Sequence, residues 1–102
     1  IARARRGDRY FALHILDLDR FKAVNDAWGH HFGDQLLRAT ANRLRAAVRE
    51  TDTVARLGGD EFAILQTDVT RPEDTGVLAQ RLTRLFTEPF VIEGQEITTS
   101  TS

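Results

Sequence analysis

The stretch VARLGGDEFAIL, residues 54–65, decides how this chain folds. Two apolar segments flank the pair Gly58-Gly59, and this arrangement predicts a β-hairpin with a tight two-residue turn. The predicted strands run from Val54 to Leu57 and from Glu61 to Leu65. Two carboxylates, Asp60 and Glu61, follow the turn directly, so the hairpin presents acidic side chains at one end of a sheet.

Upstream of the hairpin, the sequence predicts one strand and two helices. Tyr10 to Leu16 is a nearly unbroken apolar run, typical of a strand covered on both faces. A short helix is predicted from Arg20 to Trp28, with Phe21 and Val24 on one side. A long amphipathic helix follows, marked at three- and four-residue steps by Phe32, Leu36, Leu37, Thr40, Ala41, Leu44 and Val48.

Downstream of the hairpin, a further helix and a second hairpin are predicted. The helix is marked by Leu78, Leu82, Leu85 and Phe86, and Pro89 stops it. The second hairpin pairs 90–92 with 96–99 and turns at 93–95. Helices and strands alternate, but two hairpins make the sheet at least partly antiparallel. The predicted class is therefore α/β in the α+β sense, with a mixed, partly antiparallel central sheet flanked by helices.

Composition narrows the class of protein. The 102 residues suffice for one small domain, with 41% hydrophobic and 28% charged residues and a net charge of −1. Charges of both signs are interspersed, which argues against nucleic acid as a partner and against direct membrane contact. The absence of Cys excludes disulfides and thiolate metal sites. We expect a cytoplasmic domain, and a membrane anchor elsewhere in a longer protein stays open.

Both ends of the sequence predict a partial domain. The charged stretch 1–6 is typical of the tail of a helix, which Gly7 and Asp8 then break. The β-branched stretch 97–102 is typical of a strand that is cut part-way through.

Acidic residues of two segments are expected to meet at one sheet edge. Asp17 and Asp19 lie two residues apart at the exit of the first strand, and Asp60 and Glu61 follow the Gly58-Gly59 turn. Clustered carboxylates repel one another unless a hard cation neutralises them. Oxygen ligands suit Mg²⁺ shared with substrate phosphates, as in nucleotidyl transfer. Spacing alone nevertheless favours solvated turn residues over a metal site.

Two longer segments carry a family resemblance. DLDRFKAVNDAWGHHFGD, residues 17–34, and RLGGDEF, residues 56–62, resemble the signatures of GGDEF domains. These are the catalytic domains of diguanylate cyclases, which join two GTP molecules into cyclic di-GMP. The resemblance covers essentially the whole chain and implies a fold like that of adenylyl cyclases and polymerase palms. It also implies a further strand, a helix and a closing strand after 1–102.

The resemblance implies a set of catalytic and metal-binding residues. Asp17 and Asp60 are similar to the side-chain ligands of Mg²⁺, with Mn²⁺ as the alternative ion, and Leu18 would contribute its carbonyl. Asp60 also matches the position that assists deprotonation of the attacking hydroxyl, and Glu61 supports it. Lys22 matches the residue that neutralises charge on the phosphates, although an exposed lysine outside such a motif is simply solvated.

The resemblance also implies how the nucleotide is bound. Asn25 and Asp34 are similar to the pair that reads guanine, whose N1 and N2 donate and whose O6 and N3 accept hydrogen bonds. An adenine would leave these buried partners unpaired, which is how such a site discriminates. His30 occupies a signature position near the nucleotide, and Gly58 and Gly59 let a triphosphate approach the backbone closely.

Structural alternatives stand beside three of these assignments. Asp34 follows Gly33 at the predicted start of the long helix, where a carboxylate stabilises the positive end of the helix dipole. Gly58 and Gly59 could serve only a plain hairpin turn. His14 lies outside both signatures, and we expect it to fill a structural position.

A second site is expected to bind the product. Arg49-Glu50-Thr51-Asp52 has the RxxD pattern of the family's inhibitory site, at the family's spacing before the Gly58-Gly59 turn. Arg49 can bind phosphate or guanine bidentately, Asp52 can accept from the guanine edge, and Arg81 is a secondary contributor. The resemblance further implies a homodimer and fused sensory or phosphodiesterase domains. The alternative function is a non-catalytic domain that binds GTP or cyclic di-GMP and regulates an attached domain.

Overall fold

Six strands and three helices make up the part of the chain that the computed structural model describes, residues 2–99. In chain order the elements are β1 Ala2–Arg6, β2 Arg9–Asp17, α1 Phe21–Trp28, α2 His30–Ala47, β3 Thr53–Gly58, β4 Glu61–Val69, α3 Glu73–Leu85, β5 Phe90–Ile92 and β6 Gln95–Ile97. The first four strands form one sheet in the order β1-β2-β4-β3, and β5 and β6 form a second sheet. Every strand pair in residues 2–99 is antiparallel, which confirms the predicted α+β class.

The core lies between one face of the larger sheet and the helices. The register pairs Leu16 of β2 with Phe62 of β4, and both side chains are buried. Leu36 and Leu44 of α2 and Leu82 of α3 complete the packing on the same face. Each of these side chains is removed from water, and such burial is the main stabilising contribution in a domain of this size. The predicted helical spacing of 78–86 and 32–48 therefore identified the faces that are buried.

The prediction of a helix tail at 1–6 is wrong for the described residues, because Ala2–Arg6 is strand β1. Gly7 and Asp8 form the turn of a hairpin that pairs Arg6 with Arg9 and Arg5 with Tyr10. Gly7 supplies the positive φ of 61° that this turn needs. Ile1 lies outside the described residues.

The expectation that 10–16 is covered on both faces is also wrong for this chain. Burial alternates along β2, because Ala12, His14 and Leu16 face the helices. Leu13 and Ile15 lie on the opposite face and are 38% and 43% exposed.

Both hairpin turns differ from the prediction by one residue, and α2 begins at His30, three residues before its predicted start at Gly33. A register shift after Arg56 pairs Gly58 with Glu61, so the two turn residues are Gly59 and Asp60, not Gly58 and Gly59. In the second hairpin the turn is Glu93-Gly94, with φ of 50° and 79°. Both angles are positive, as the favoured two-residue hairpin turn requires. Residues 100–102 of the predicted last strand lie outside the described residues.

The helices agree with the prediction in type and order. The helix α3 ends at Leu85, four residues before Pro89. Arg43 links α2 to the loop after α3. Its guanidinium donates hydrogen bonds to the carbonyls of Leu85, Glu88 and Pro89 at 2.7–3.0 Å. No helix in residues 2–99 is both long and apolar enough to cross a bilayer.

Candidate active site

The carboxylates of two segments meet at one end of the larger sheet. The strand β2 ends at Asp17 and β4 begins at Glu61, and the antiparallel register makes these two residues direct partners. The amide of Leu18 donates to the carbonyl of Asp60 at 3.0 Å, which extends the pairing into the turn. Asp17, Asp60 and Glu61 are each half-buried. The convergence expected from the sequence is therefore present.

Negative charge is in excess at this end of the sheet, where β2 ends and β4 begins. A hydrogen bond with Asp17 raises the pKa of the Glu61 carboxyl above its ordinary value. Burial and the charges of Asp17 and Asp60 raise this pKa further. No Lys or Arg in residues 2–99 forms an ion pair with these three carboxylates. The cluster therefore favours a shared proton or a cation from solution.

This edge alone does not complete a metal site. In the described part of the chain, no three His, Cys, Asp or Glu side chains are arranged to hold an ion. Mg²⁺ commonly takes only one or two protein carboxylates and completes its shell with water and substrate phosphates. The oxygen donors present here fit that mode of binding.

The space above the hairpin turn is open. Gly58 and Gly59 have φ of 153° and 49°, and a Cβ built on either would have no neighbouring atom within 4 Å. Arg56 stabilises the turn, since its Nε donates a hydrogen bond to the carbonyl of Gly59 at 3.0 Å. The turn therefore leaves backbone accessible beside the carboxylate cluster, as close approach of a phosphate requires.

Asn25 is the most unusual of the predicted base-reading residues. Its Oδ1 is buried and has no hydrogen-bond partner among residues 2–99, and its side chain packs against Gly33 of α2. A buried polar atom without a partner is costly, so it commonly marks a ligand position. Lys22 and His30 lie nearby in sequence, at the beginnings of α1 and α2, and both are exposed.

Asp34 is not at the start of α2, where a carboxylate would stabilise the helix dipole. The helix α2 begins at His30, so Asp34 lies in the second turn and no acidic residue is in the first. The dipole effect falls off within the first turn, which weakens the alternative. Asp34 is exposed and lines a cleft of about 350 Å³ between α2 and β3, together with Arg38, Arg56 and Phe62.

The residues of the predicted product site meet at the other end of β4. Arg49, Asp52 and Arg81 line one cavity of about 250 Å³. Asp52 accepts from the amide of Arg49 at 3.0 Å and from the amide of Thr67 at 3.2 Å. Its side chain is only 3% exposed, whereas that of Arg49 is 57% exposed. Both arginines also donate to backbone carbonyls, Arg49 to Thr67 at 2.6 Å and Arg81 to Ala47 at 3.1 Å.

Some features of these sites were not predicted from the sequence. The amide of Thr67 donates a hydrogen bond to the carboxylate of Asp52, and no sequence pattern around Thr67 predicts this contact. Gly33 inside a helix is a detectable signal, since an interior glycine calls for a steric reason. His14 was expected to be structural, and this is confirmed because it is 3% exposed and hydrogen bonded to Gln66 at 3.0 Å.

Comparison with known proteins places the chain in a family. The profile of the family described as diguanylate cyclase, GGDEF domain, matches residues 1–102. The chain therefore belongs to the GGDEF family. An EAL/GGDEF domain protein from M. capsulatus has a similar structure, with a TM-score of 0.85 and 46% identity over 99% of this chain and 64% of that one. The predicted palm-like fold is confirmed by this likeness.

Two relatives from Pseudomonas aeruginosa show the setting in which such domains occur. MucR, described as a bifunctional diguanylate cyclase/cyclic di-GMP phosphodiesterase, is 50% identical over 100% of this chain and 15% of its own length. NbdA, described as a cyclic di-GMP phosphodiesterase, is 42% identical over 89% of this chain and 12% of its own length. The chain thus spans less than a sixth of either relative.

Proposed function

We propose that this chain belongs to the catalytic domain of a diguanylate cyclase, which condenses two GTP molecules into cyclic di-GMP and releases pyrophosphate. The observation that carries the proposal is the meeting of Asp17, Asp60 and Glu61 beside an open glycine turn, in a chain of the GGDEF family. Clustered carboxylates next to accessible backbone suit a metal-bound triphosphate better than they suit any role in the fold.

The donor set at the sheet edge fits Mg²⁺ or Mn²⁺, because its ligands are all oxygens. The carboxylates of Asp17 and Asp60 and the carbonyl of Leu18 would hold the ion. When bound, the ion offsets negative charge on the triphosphate and on the departing pyrophosphate. The pairing of Asp17 with Glu61 beside Asp60 supports this assignment, since it brings three carboxylates to the same end of the sheet.

The chain's own side chains position and deprotonate the nucleotide. Each 3′-hydroxyl attacks the α-phosphorus of the opposing GTP, so a bond from O3′ to phosphorus forms while the bond to pyrophosphate breaks. Asp60 assists removal of the hydroxyl proton, Glu61 supports it, and Lys22 offsets charge on the phosphates. One chain offers one such edge, so we expect two copies to face each other, and much of the acceleration comes from their alignment.

Selection of guanine is assigned to Asn25 and Asp34, with His30 beside the nucleotide. The unpaired Oδ1 of Asn25 is an acceptor that a guanine N–H donor would satisfy. The exposed carboxylate of Asp34 is a second acceptor. A base that offers no donor to Asn25 Oδ1 loses affinity, because a buried polar group without a partner is costly.

Feedback by the product is assigned to the cavity at the far end of β4. Both carboxylate oxygens of Asp52 already accept hydrogen bonds from the chain, so Arg49 and Arg81 supply the contacts to cyclic di-GMP. Asp52 holds Arg49 in place for this purpose. Binding there inhibits through misaligned subunits or domains, which couples two distinct sites.

The similarity to NbdA supports a second candidate function. NbdA contains a segment similar to this chain but is described as a phosphodiesterase and not as a cyclase. A domain of this kind can therefore occur in a protein whose described activity is phosphodiesterase. In this alternative the chain binds GTP or cyclic di-GMP and regulates an attached domain.

One experiment separates the two functions. The intact protein is incubated with Mg²⁺ and either GTP or ATP, and the products are identified by mass spectrometry. We expect cyclic di-GMP and pyrophosphate from GTP and no cyclic dinucleotide from ATP. Tight GTP binding without turnover would replace the cyclase by the regulatory domain, and equal use of ATP would contradict guanine selection.

A further inference from the structure

Gly33 lies inside α2 and leaves no room for a side chain unless the side chain of Asn25 moves. It is buried, and a Cβ built on it would overlap Asn25 Oδ1 and would lie 2.8 Å from Asn25 Cγ. A separation of this size is far below van der Waals contact between carbon atoms. Glycine also destabilises a helix interior relative to alanine. The chain therefore keeps an unfavourable residue at a position where the amide of Asn25 needs the space.

Gly76 shows that this constraint is specific to Gly33. It lies inside α3, and a Cβ built on it would meet no atom within 4 Å. Neither glycine has a backbone conformation that excludes other residues, since neither φ is positive. The two helical glycines thus differ in one respect, which is the Asn25 amide against Gly33.

The backbone around Asn25 cannot easily yield to a larger residue. The carbonyl of Asn25 accepts from the amide of Gly29 at 2.8 Å, and the carbonyl of Gly29 accepts from the amide of Gly33 at 3.1 Å. These bonds tie the end of α1 to the beginning of α2. An added methyl group would therefore displace the side chain of Asn25 or push the two helices apart.

We infer that Gly33 is a positioning residue that sets the side-chain amide of Asn25 in its nucleotide-reading orientation. The inference rests on the proposed function for its ligand, a guanine nucleotide. Asn25 Oδ1 is held buried and without a partner in this orientation, which is costly unless a ligand donor reaches it. Gly33 contributes no atom to the ligand and acts only through Asn25.

The test is a double-substitution cycle in the intact protein. Gly33→Ala, Asn25→Ala, the double variant and the control Gly76→Ala are compared for GTP affinity and for initial rate against GTP concentration. We expect Gly33→Ala to weaken GTP binding by about tenfold or more, seen mainly in KM, while Gly76→Ala leaves it unchanged. In the Asn25→Ala background, Gly33→Ala should cost no further affinity. An equal additional loss in that background, or parent affinity in Gly33→Ala, would overturn the inference.

Thermal unfolding in the absence of nucleotide tests the contact between Gly33 and the Asn25 side chain independently of the proposed function. Gly76→Ala should raise the unfolding midpoint by roughly 2–6 °C through helix propensity. Gly33→Ala should give a similar rise in the Asn25→Ala background and a clearly smaller rise in the parent, where the Asn25 side chain must move aside. If Gly33→Ala alone does not fold, folding of the double variant supports the inference, and failure of both overturns it. A parent that binds no GTP would refute the proposed function, whereas this cycle would still test the contact.

Discussion

The strand β4 has carboxylates near both of its ends, and the two sets have opposite surroundings. Near its end, Asp52 is 3% exposed and accepts from the amides of Arg49 and Thr67 at 3.0 and 3.2 Å. At its beginning, Glu61 pairs with Asp17 of the neighbouring strand, and its pKa is raised by a hydrogen bond with Asp17, by burial and by the charges of Asp17 and Asp60. Glu61 and Thr67 are six residues apart along the extended strand, which places them about 20 Å apart.

This difference indicates that Asp52 serves the fold, whereas the proposed function assigns Asp17 and Glu61 to a ligand. The acceptors of Asp52 are filled by its own chain, so it stabilises the turn between α2 and β3. No Lys or Arg in residues 2–99 forms an ion pair with Asp17 or Glu61, so a proton or a cation would relieve the repulsion between them. Removal of a carboxylate should therefore have opposite consequences at the two ends.

The largest effect is expected at the beginning of β4. Asp17→Ala and Asp60→Ala should each lower the rate of cyclic di-GMP formation by about a hundredfold or more, because charge on the triphosphate is no longer offset. The urea midpoint of unfolding should stay the same or rise in Mg²⁺-free buffer, since repulsion is relieved. Product formation by chromatography and unfolding by circular dichroism give the two readouts.

The matched control for this pair is Glu96→Ala. Glu96 is an exposed carboxylate on β6, away from the larger sheet, and its removal should leave the rate unchanged. Parent turnover in Asp17→Ala or Asp60→Ala would remove the catalytic assignment of this edge.

At the other end of β4 the expected effect is on stability. Asp52→Ala leaves the amides of Arg49 and Thr67 without their acceptor and should lower the free energy of unfolding by about 1–3 kcal/mol. The control is Asp68→Asn, which removes the charge of the half-exposed ion pair with Arg9, suits the positive φ of 53° at this position and should cost less than about 1 kcal/mol. Equal costs in urea titrations would show that Asp52 is an ordinary surface carboxylate.

The active-site end was predictable because its signals are local. Gly58-Gly59 followed by Asp60 and Glu61 fixes a hairpin whose tip is acidic, and the apolar run before Asp17 supplies the neighbouring strand. The prediction missed only the one-residue shift of the turn, which depends on a bulge in β3 that no single residue marks.

The features that the sequence did not predict depend on tertiary partners. The arginine-rich strand β1 is held by pairing with β2, which overrides the helical preference of Ala and Arg. The role of Asp52 depends on Thr67, fifteen residues away, and that of Gly33 depends on the position of Asn25 on another helix. Alternating exposure in β2 likewise follows from having helices on only one face of the sheet in residues 2–99.

The smallest effect is expected for Arg49→Ala. This variant tests whether Arg49 binds the product while Asp52 stabilises the turn. Arg49 is 57% exposed, so its loss should change stability less than the loss of Asp52 does. It should relieve inhibition by cyclic di-GMP while initial rates stay near those of the parent, because the carboxylate edge is untouched. Inhibition curves that coincide with those of the parent would reduce Arg49 and Asp52 to a structural pair.

The most direct measurement of the difference between the two ends uses Mn²⁺ as a paramagnetic probe. Mn²⁺ is added with a non-cleavable GTP analogue to the isotope-labelled intact protein, and broadening of backbone amide NMR signals is recorded. We predict selective broadening at 17–19 and 59–61, with the signals of 49–53 and Thr67 retained. Broadening centred on Arg49 and Asp52, or broadening that is no greater at Asp17 and Asp60 than elsewhere, would contradict the assignment of the metal–nucleotide site to the beginning of β4.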